Sequence, residues 1–271
     1  MAPSDDAAPL VVVKLGGSLL TRKREIEKLR PKVLHRLARE LAAATAVRLI
    51  VLHGAGSFGH PGAVRFGLAR APGKGGRETA RARGGAIVSA EVRRLHLHVL
   101  RELVAAGLAP WSVPAAGVAR NREGKLSSFD TALFAETLAS GRLPVSFGDV
   151  VPDDAWGLSI LSADTLAVEL ARRLDARRVV FASDVPGVLE SMAPGGGRPV
   201  AELTREVLDR LRPAPGSTDV TGGIRGKVAA MLEIADAGAD AALISGLTDG
   251  AVSRAIRGEA VYGSWAHARA R

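Results

Sequence analysis

The chain has 271 residues and a mass of 28.1 kDa, with 47% hydrophobic and 24% charged residues. This composition is typical of a globular protein and excludes a largely disordered or fibrous chain. Apolar runs stay below the roughly 18 residues that a membrane-spanning helix needs. The first residues carry two aspartates and no basic segment followed by an apolar one, so we expect a cytoplasmic protein. The lack of cysteine excludes disulfides, thiolate metal sites and cysteine nucleophiles.

The formal net charge is +9, because 37 Lys and Arg stand against 28 Asp and Glu. Thirty of these basic residues are arginines, scattered over predicted helix faces rather than gathered in one run. Only 4% of the residues are aromatic, and they do not alternate with basic residues as in surfaces that stack nucleic-acid bases. We interpret the charge as solvated surface, with attraction of a small anionic substrate as the functional alternative. No nucleic-acid or membrane partner is expected.

Strand-like apolar runs alternate with helical patterns along the whole chain. Strands are predicted at 10–15, 49–52, 110–113, 144–147, 178–181 and 241–244, and helices at 33–45, 85–106, 164–174 and 224–237. The long helix at 85–106 is predicted to bury Ile87, Val88, Val92, Leu95, Val99 and Leu103 on one face. This alternation predicts an α/β fold in which helices cover both faces of a mainly parallel sheet, a three-layer αβα sandwich in a single domain.

Glycines collect where the predicted strands end, at Gly16-Gly17, Gly54-Ala55-Gly56, Gly148 and Gly187. Ligands of parallel sheets bind beyond the carboxyl ends of the strands. Glycine allows backbone N–H groups to approach phosphate oxygens without a Cβ in the way. Several glycine turns at one edge therefore predict a large, phosphate-rich ligand.

Lys14, Lys23 and Lys227 each lie in or beside a glycine turn. Lys14 ends a strand just before Gly-Gly-Ser, and Lys227 lies one turn inside a helix that follows Thr-Gly-Gly at 221–223. Lysine supplies a mobile positive charge, and a helix start favours phosphate oxygens. An ordinary turn and a helix capped by threonine are the alternatives. Neither Walker A nor dinucleotide-binding spacing is present.

Residues 53–61, His-Gly-Ala-Gly-Ser-Phe-Gly-His-Pro, follow a buried strand. We interpret them as a loop whose N–H groups and whose His60 ring donate hydrogen bonds to a phosphate. A surface role for His60 is the alternative. His53 is interpreted as a structural hydrogen-bonding residue. His96 and His98 fall on opposite sides of the long helix, so no metal site is expected there.

Together these segments resemble the amino acid kinase superfamily and, within it, the isopentenyl phosphate kinase branch. The resemblance spans residues 14–227 and rests on Lys-Leu-Gly-Gly-Ser at 14–18, Thr-Arg-Lys at 21–23, the 53–61 segment, Gly-Asp-Val-Val at 148–151, Ser-Ala-Asp at 162–164, Ser-Asp-Val-Pro-Gly at 183–187, Asp-Val-Thr-Gly-Gly at 219–223 and Gly-Lys at 226–227. Two positions depart from the family pattern. Ala163 stands where glycine is usual, and Pro186 replaces an aspartate near the expected nucleotide.

The resemblance implies an amino acid kinase fold and transfer of the γ-phosphoryl group of ATP, with Mg²⁺, to isopentenyl phosphate. The implied catalytic residues are Lys14, Lys23, His60, Asp164 and Lys227. The implied ATP-binding residues are Lys14, Gly16, Gly17, Ser18, Gly56, Asp184, Gly187, Gly223 and Lys227. The implied substrate-binding residues are Gly54, Ala55, Gly59, His60 and Gly148. Residues of about 10–160 would form the acceptor-binding lobe and those of about 161–271 the ATP-binding lobe.

In these roles Lys14 and Lys227 contact the β- and γ-phosphates, Lys23 contacts the transferring group, and Asp164 orients the lysines. His60, with the backbone at Ala55 and Gly148, holds the acceptor phosphate. The family also implies a homodimer, with the long helix as a candidate interface.

We expect the acceptor pocket to be apolar, with walls from the long helix and the segment around Phe66 and Leu68. Two alternatives remain at this point. A kinase for another small phosphate or phosphonate, such as fosfomycin, would keep the lysines and the histidine but have a polar acceptor pocket. A non-catalytic nucleotide-binding regulator could use the same phosphate loops without turnover.

Overall fold

The computed structural model describes residues 8–22, 25–73, 78–189, 197–211 and 223–269. Its strands are β1 Leu10–Leu15, β2 Arg48–His53, β3 Pro110–Ser112, β4 Ala119–Arg122, β5 Lys125–Phe129, β6 Leu143–Phe147, β7 Asp149–Asp153, β8 Gly157–Leu161, β9 Arg178–Ser183, β10 Asp240–Ser245 and β11 Gly263–Ala266. Its helices are α1 Gly17–Leu20, α2 Pro31–Ala42, α3 Gly56–Arg65, α4 Glu78–Ala105, α5 Ala115–Val118, α6 Ala132–Ala139, α7 Ala163–Arg173, α8 Arg205–Arg210, α9 Gly223–Asp236 and α10 Ala251–Arg257.

The larger sheet has the strand order β11-β10-β9-β1-β2-β6-β3. Its neighbouring strands are parallel except for β10 and β11, so the predicted mainly parallel sheet is confirmed. Strand β1 is buried along its whole length, which explains why its sequence is a continuous apolar run rather than an alternating one.

Alternate residues of β1 serve two separate cores, one on each face of the sheet. Val12 packs in a core with Leu166 of α7 and Met231 of α9. Val13 faces the other way and packs in a core with Leu37 of α2 and Val99 of α4. The predicted three-layer arrangement, with helices on both faces, is therefore confirmed.

A smaller sheet, with the order β5-β4-β7-β8, was not predicted. Strand β4 is Ala-Arg-Asn-Arg with alternate residues exposed, and β7 contains a proline. Such short, partly polar runs give a weak strand signal. Strand β7 of this sheet begins at Asp149, directly after the single residue that follows β6.

Helix α4 begins seven residues before the predicted start. Its face is buried as predicted at Val88, Val92, Leu95, Val99 and Leu103. The prediction is wrong for Ile87, which is 42% exposed, because this residue lies beside the stripe rather than on it.

The chain order around β1 positions the functional site. From β1 the chain continues to β2 on one side, whereas β9, added later, pairs with the opposite edge of β1. The loops that leave the two neighbouring strands diverge at such a switch point, and a crevice opens between them. Within the described ranges, no helix is long and apolar enough to span a membrane.

Candidate phosphoryl-transfer site

A cavity of about 550 Å³ lies at the carboxyl ends of the central strands. The turns after β1, β2, β6 and β9 line it, together with the first turns of α7 and α9. Every predicted site residue that the structure describes lines this cavity: Lys14, Gly16, Gly17, Ser18, Gly54, Ala55, Gly56, Gly59, His60, Gly148, Asp164, Asp184, Gly187, Gly223 and Lys227. Lys23 and residues 219–222 lie outside the described residues.

Two lysines converge on one carboxylate in this cavity. The Nζ atom of Lys14 lies 2.9 Å from Oδ1 of Asp164, and Nζ of Lys227 lies 2.7 Å from Oδ2. All three side chains are at least four-fifths buried. The ammonium of Lys227 also lies 5.1 Å from the ring centre of Phe181. Two positive charges against one negative charge leave a local excess that suits a polyanionic ligand.

Burial and charge act in opposite directions on these groups. Burial alone would raise the pKa of Asp164, but the ammonium groups of Lys14 and Lys227 outweigh it and hold that pKa far below its usual range. Burial lowers the pKa of Lys227 to about 8, and repulsion by Lys14 adds to that effect, while Asp164 offsets part of it. Asp164 is thus ionised at neutral pH, and Lys227 is mostly protonated.

The glycine turns after β1 and β2 pack directly against each other. A Cβ on Gly17 would overlap the backbone N and Cα of Gly56, and one on Gly54 would lie 2.8 Å from the Gly17 nitrogen. Gly56 also has φ of +51°, a conformation that residues with a side chain rarely adopt. These glycines are therefore needed for contact between the two loops.

Ser18 and Asp184 connect the turns after β1 and β9. The Ser18 hydroxyl donates a hydrogen bond of 2.6 Å to Oδ1 of Asp184, and the Gly16 N–H donates to the Ala182 carbonyl at 2.8 Å. Gly187 packs closely on the antiparallel edge strand, where a Cβ would lie 2.6 Å from the Ser264 hydroxyl.

His60 lies on a helix and not, as predicted, in a loop, because α3 starts at Gly56 and continues through Pro61. The many glycines and the proline obscured this helix in the sequence. The imidazole is exposed and borders the cavity. Gly59, one residue earlier, packs on α4, since a Cβ there would lie 2.7 Å from Val92 Cγ2.

Gly148 borders the cavity, but its N–H donates a 3.1 Å hydrogen bond to the His53 carbonyl. Gly148 therefore leaves space in the cavity, because it has no side chain, but its N–H already donates to the protein and does not face a ligand as a donor. A Cβ at this position would lie 3.1 Å from the Ala163 nitrogen.

One wall of the cavity is apolar. It is formed by Ala63, Val88, Val92, Val150 and Ile160, from α3, α4, β7 and β8. The expected apolar pocket is thus present, but the two residues predicted for it, Phe66 and Leu68, do not line the cavity. Leu68 is fully buried in the cluster that packs behind the wall, and Phe66 borders a neighbouring cavity instead.

Two polar contacts next to the wall were not predicted from the sequence. Asp149 lines the cavity and forms a two-pronged pair with Arg93 of α4, with N–O distances of 3.1 and 3.0 Å. Burial raises the pKa of Asp149, and Arg93 counteracts this. The second feature is a contact between the buried rings of His53 and His96. Partners 43 or 56 residues apart leave no local sequence signal.

The donor set does not form a metal cage. Within the described ranges, no three His, Asp or Glu side chains cluster in a way that could hold an ion. The cavity carboxylates of Asp164, Asp184 and Asp149 already accept hydrogen bonds from Lys227, Ser18 and Arg93, respectively. Mg²⁺ is commonly bound through substrate phosphates with few protein ligands, which is the mode that these residues fit.

The chain is similar to known kinases in both sequence and fold. The chain matches the model of the amino acid kinase family over residues 9–245. It is 34% identical over 265 residues to the isopentenyl phosphate kinase of Methanothermobacter thermautotrophicus, covering 94% of this chain and 98% of that protein. The corresponding enzyme of Haloferax volcanii is 37% identical over 227 residues, covering 83% and 88%. An X-ray structure of isopentenyl phosphate kinase superimposes with a TM-score of 0.83 at 29% identity, covering 94% and 99%.

Proposed function

This chain belongs to the amino acid kinase family, and we propose that it transfers the γ-phosphoryl group of ATP to isopentenyl phosphate, giving isopentenyl diphosphate. Similarity to isopentenyl phosphate kinases over nearly the full lengths of both chains supports this activity. The observation that carries it is the composition of the cavity. A buried Lys14–Asp164–Lys227 cluster lies in the same cavity as His60 and an apolar wall.

The chemistry requires two anions to be held in line. The acceptor phosphate is itself the nucleophile and is already ionised, so the protein needs neither a covalent intermediate nor a strong general base. Positive charge around the transferring group supplies most of the catalysis that such a reaction needs. In this proposal Lys14 and Lys227 bind the β- and γ-phosphates, Asp164 orients both ammonium groups, and Lys23 stabilises the transferring group.

We assign the ATP-binding lobe to residues of about 161–271, with Lys14 of β1 reaching the nucleotide phosphates, and the acceptor-binding lobe to residues of about 10–160. The strand order supports this division. Strands β9 and β10 lie on one side of β1, whereas β2 and β6 lie on its other side. His60 donates to the acceptor phosphate, and the apolar wall receives its five-carbon tail. Mg²⁺ would be held through the nucleotide phosphates beside Lys14 and Lys227, and it would neutralise part of the phosphate charge there. We also propose a homodimer that forms through α4, because this helix exposes Leu97 and Val104. The proposed location is the cytoplasm.

The decisive experiment measures ADP release with isopentenyl phosphate for the wild type and for two His60 variants. A hydrogen bond to a charged phosphate oxygen is worth about 1.5–3 kcal/mol, so His60→Ala should lower kcat/KM for the acceptor by roughly 10- to 100-fold. His60→Gln retains a donor and should recover part of the loss. ATP affinity measured without acceptor should stay unchanged. His98→Ala, on the exposed side of α4, is the matched control and should behave as the wild type.

The same assay separates the alternatives. Turnover of fosfomycin or methyl phosphate at the rate seen with isopentenyl phosphate contradicts the isoprenoid assignment, since the apolar wall then contributes nothing. Nucleotide binding without turnover of any acceptor indicates a regulator instead. Loss of ATP affinity in His60→Ala, with an unchanged acceptor KM, assigns this histidine to the nucleotide.

A further inference from the structure

Three polar side chains form a hydrogen-bonded chain behind the acceptor end of the cavity. The hydroxyl of Ser112, on β3, lies 2.8 Å from Nε2 of His96 on α4. Nδ1 of His96 lies 3.0 Å from Nε2 of His53, at the end of β2. Nδ1 of His53 lies 3.1 Å from the Gly54 carbonyl oxygen. Both rings are buried and pack against Phe147.

The Gly54 carbonyl determines which ring nitrogen of His53, and in turn of His96, carries a hydrogen. A carbonyl oxygen only accepts, so Nδ1 of His53 carries a hydrogen. Burial is the main cause that lowers the pKa of His53 to about 4 and that of His96 to about 3, so both rings are neutral at pH 7. Nε2 of His53 therefore accepts from Nδ1–H of His96, and Nε2 of His96 accepts from the Ser112 hydroxyl.

The last hydrogen bond ends on a peptide unit that borders the cavity. In a trans peptide the C=O and N–H groups point in opposite directions, and the described residues contain no cis peptide bond. With its carbonyl held by the buried His53 ring, the Gly54–Ala55 unit directs the Ala55 N–H away from that ring, on the side where both residues line the cavity. Among the described residues, no backbone carbonyl outside the regular helices and strands accepts a hydrogen bond from this N–H.

The glycines next to this peptide unit place little intrinsic restriction on its backbone conformation. Gly54 and Gly56 flank Ala55, and glycine adopts conformations on both sides of φ = 0 with little cost. A rotation of the unit would turn the carbonyl oxygen toward a bound phosphate and the N–H away from it. The hydrogen bond from His53 opposes that rotation.

We infer that His53, held in one tautomer by His96 and Ser112, is a positioning residue that keeps the Ala55 N–H directed at the acceptor phosphate. The inference rests on the proposed function for the identity of the acceptor. It gives a role to two buried histidines that contribute no charge to the reaction. His53 acts through the peptide and does not itself contact the substrate.

The tautomers can be measured in the unmodified protein without substrate. Nitrogen-15 NMR of the imidazoles should show His53 and His96 as neutral Nδ1–H tautomers at pH 7, assigned by substituting the other four histidines in turn. An Nε2–H tautomer at His53 overturns the inference. This result is independent of the acceptor, so it is distinguishable from a failure of the proposed function, which the wild-type assay reports.

Two variants separate positioning from packing. His53→Asn places an amide donor near the Nδ1 position, whereas His53→Gln places its amide near the Nε2 position and leaves the Gly54 carbonyl without a donor. We expect His53→Gln to raise the KM for isopentenyl phosphate by about two- to tenfold, the range for one net hydrogen bond, and His53→Asn to recover most of this. The Kd for ATP should not change in either variant. Equal acceptor KM values in the two variants, or a parallel loss of ATP affinity, overturn the inference.

Discussion

The Nζ atom of Lys227 lies 2.7 Å from Oδ2 of Asp164, although 63 positions separate the two residues in the sequence. Lys14 contacts the other oxygen of the same carboxylate at 2.9 Å. One buried carboxylate thus holds two ammonium groups that would otherwise repel each other at close range. The carboxylate offsets part of the burial and of the repulsion by Lys14 that lower the pKa of Lys227.

Removing this carboxylate should damage the site more than removing an exposed one. We expect Asp164→Asn to lower kcat/KM by about 10²-fold or more, the scale for losing one preorganised electrostatic group. ATP affinity should also fall, because the unscreened lysines repel each other and one of them loses its proton. Steady-state kinetics and calorimetry check this. Asp154→Asn, which breaks a partly exposed pair with Arg120, is the control, and kinetics as mild as those of this control would contradict the role of Asp164.

The pKa of Lys227, lowered to about 8, predicts a pH dependence. Above pH 8 the free enzyme increasingly loses this charge, so the Kd for ATP should rise between pH 8 and 9.5 by up to about tenfold per pH unit. Binding in that range should take up a proton, measurable by calorimetry in buffers of different ionisation enthalpy. Lys227→Arg keeps its charge throughout and should show a flatter profile. The same slope in both proteins would assign the titration to another group.

Contact between the two glycine loops predicts an effect on both substrates at once. In Gly17→Ala the new methyl group meets the Gly56 backbone and separates the loops. We expect a loss of stability of about 1–3 kcal/mol and weaker binding of ATP and of the acceptor. Gly117→Ala adds the same methyl group in open space and should be neutral in urea unfolding and in kinetics. Retention of both affinities in Gly17→Ala would show that the loops can move apart without consequence.

The apolar wall predicts discrimination between acceptors. Val92→Thr has nearly the same shape but places a hydroxyl at the wall. A misplaced polar group costs about 1–3 kcal/mol, so kcat/KM for isopentenyl phosphate should fall by roughly 5- to 150-fold. The value for methyl phosphate, which has no tail to bury, should change little. Leu133→Thr, at an exposed apolar position of α6 that does not line the cavity, is the control. An equal loss on both acceptors would mean that Val92 supports the fold but not selectivity.

The buried histidine pair predicts an acid-sensitive stability. Because the pKa values of His53 and His96 are about 4 and about 3 in the folded protein, the unfolded chain binds more protons below pH 6.5. The free energy of unfolding should therefore fall as pH drops from 6.5 toward 4, by at most about 1.4 kcal/mol per pH unit for each histidine. Urea unfolding of His96→Asn should show a shallower decline than the wild type, whereas His98→Asn should not. A decline of equal slope in all three proteins would contradict this origin.

Features carried by contiguous residues could be predicted from the sequence. Strand β1, the glycine turns and the lysines beside them are adjacent in the chain, and the parallel sheet gathers strand ends at one edge. Features that depend on distant partners could not. The Arg93–Asp149 pair and the histidine chain join elements far apart in sequence.

The wrong predictions for α3 and for the apolar wall each have a structural cause. The glycines and Pro61 of α3 have poor helix propensity, yet packing on α4 keeps the segment helical. The sequence predicts an apolar wall from the segment after His60, around Phe66 and Leu68. The turn after α3 directs Leu68 into the core instead, and β7 and β8 of the unpredicted smaller sheet supply Val150 and Ile160 to the wall.

The contact between Gly17 and Gly56 also limits how such an enzyme can be altered toward new acceptors. A combinatorial library that randomises either loop should return glycine at these positions, since any larger residue separates the loops. The wall residues at 88, 92, 150 and 160 come from helices and strands whose backbones are fixed by their own packing. Directed evolution toward longer or branched acceptors should therefore succeed through those four positions, with the two glycine loops left unchanged.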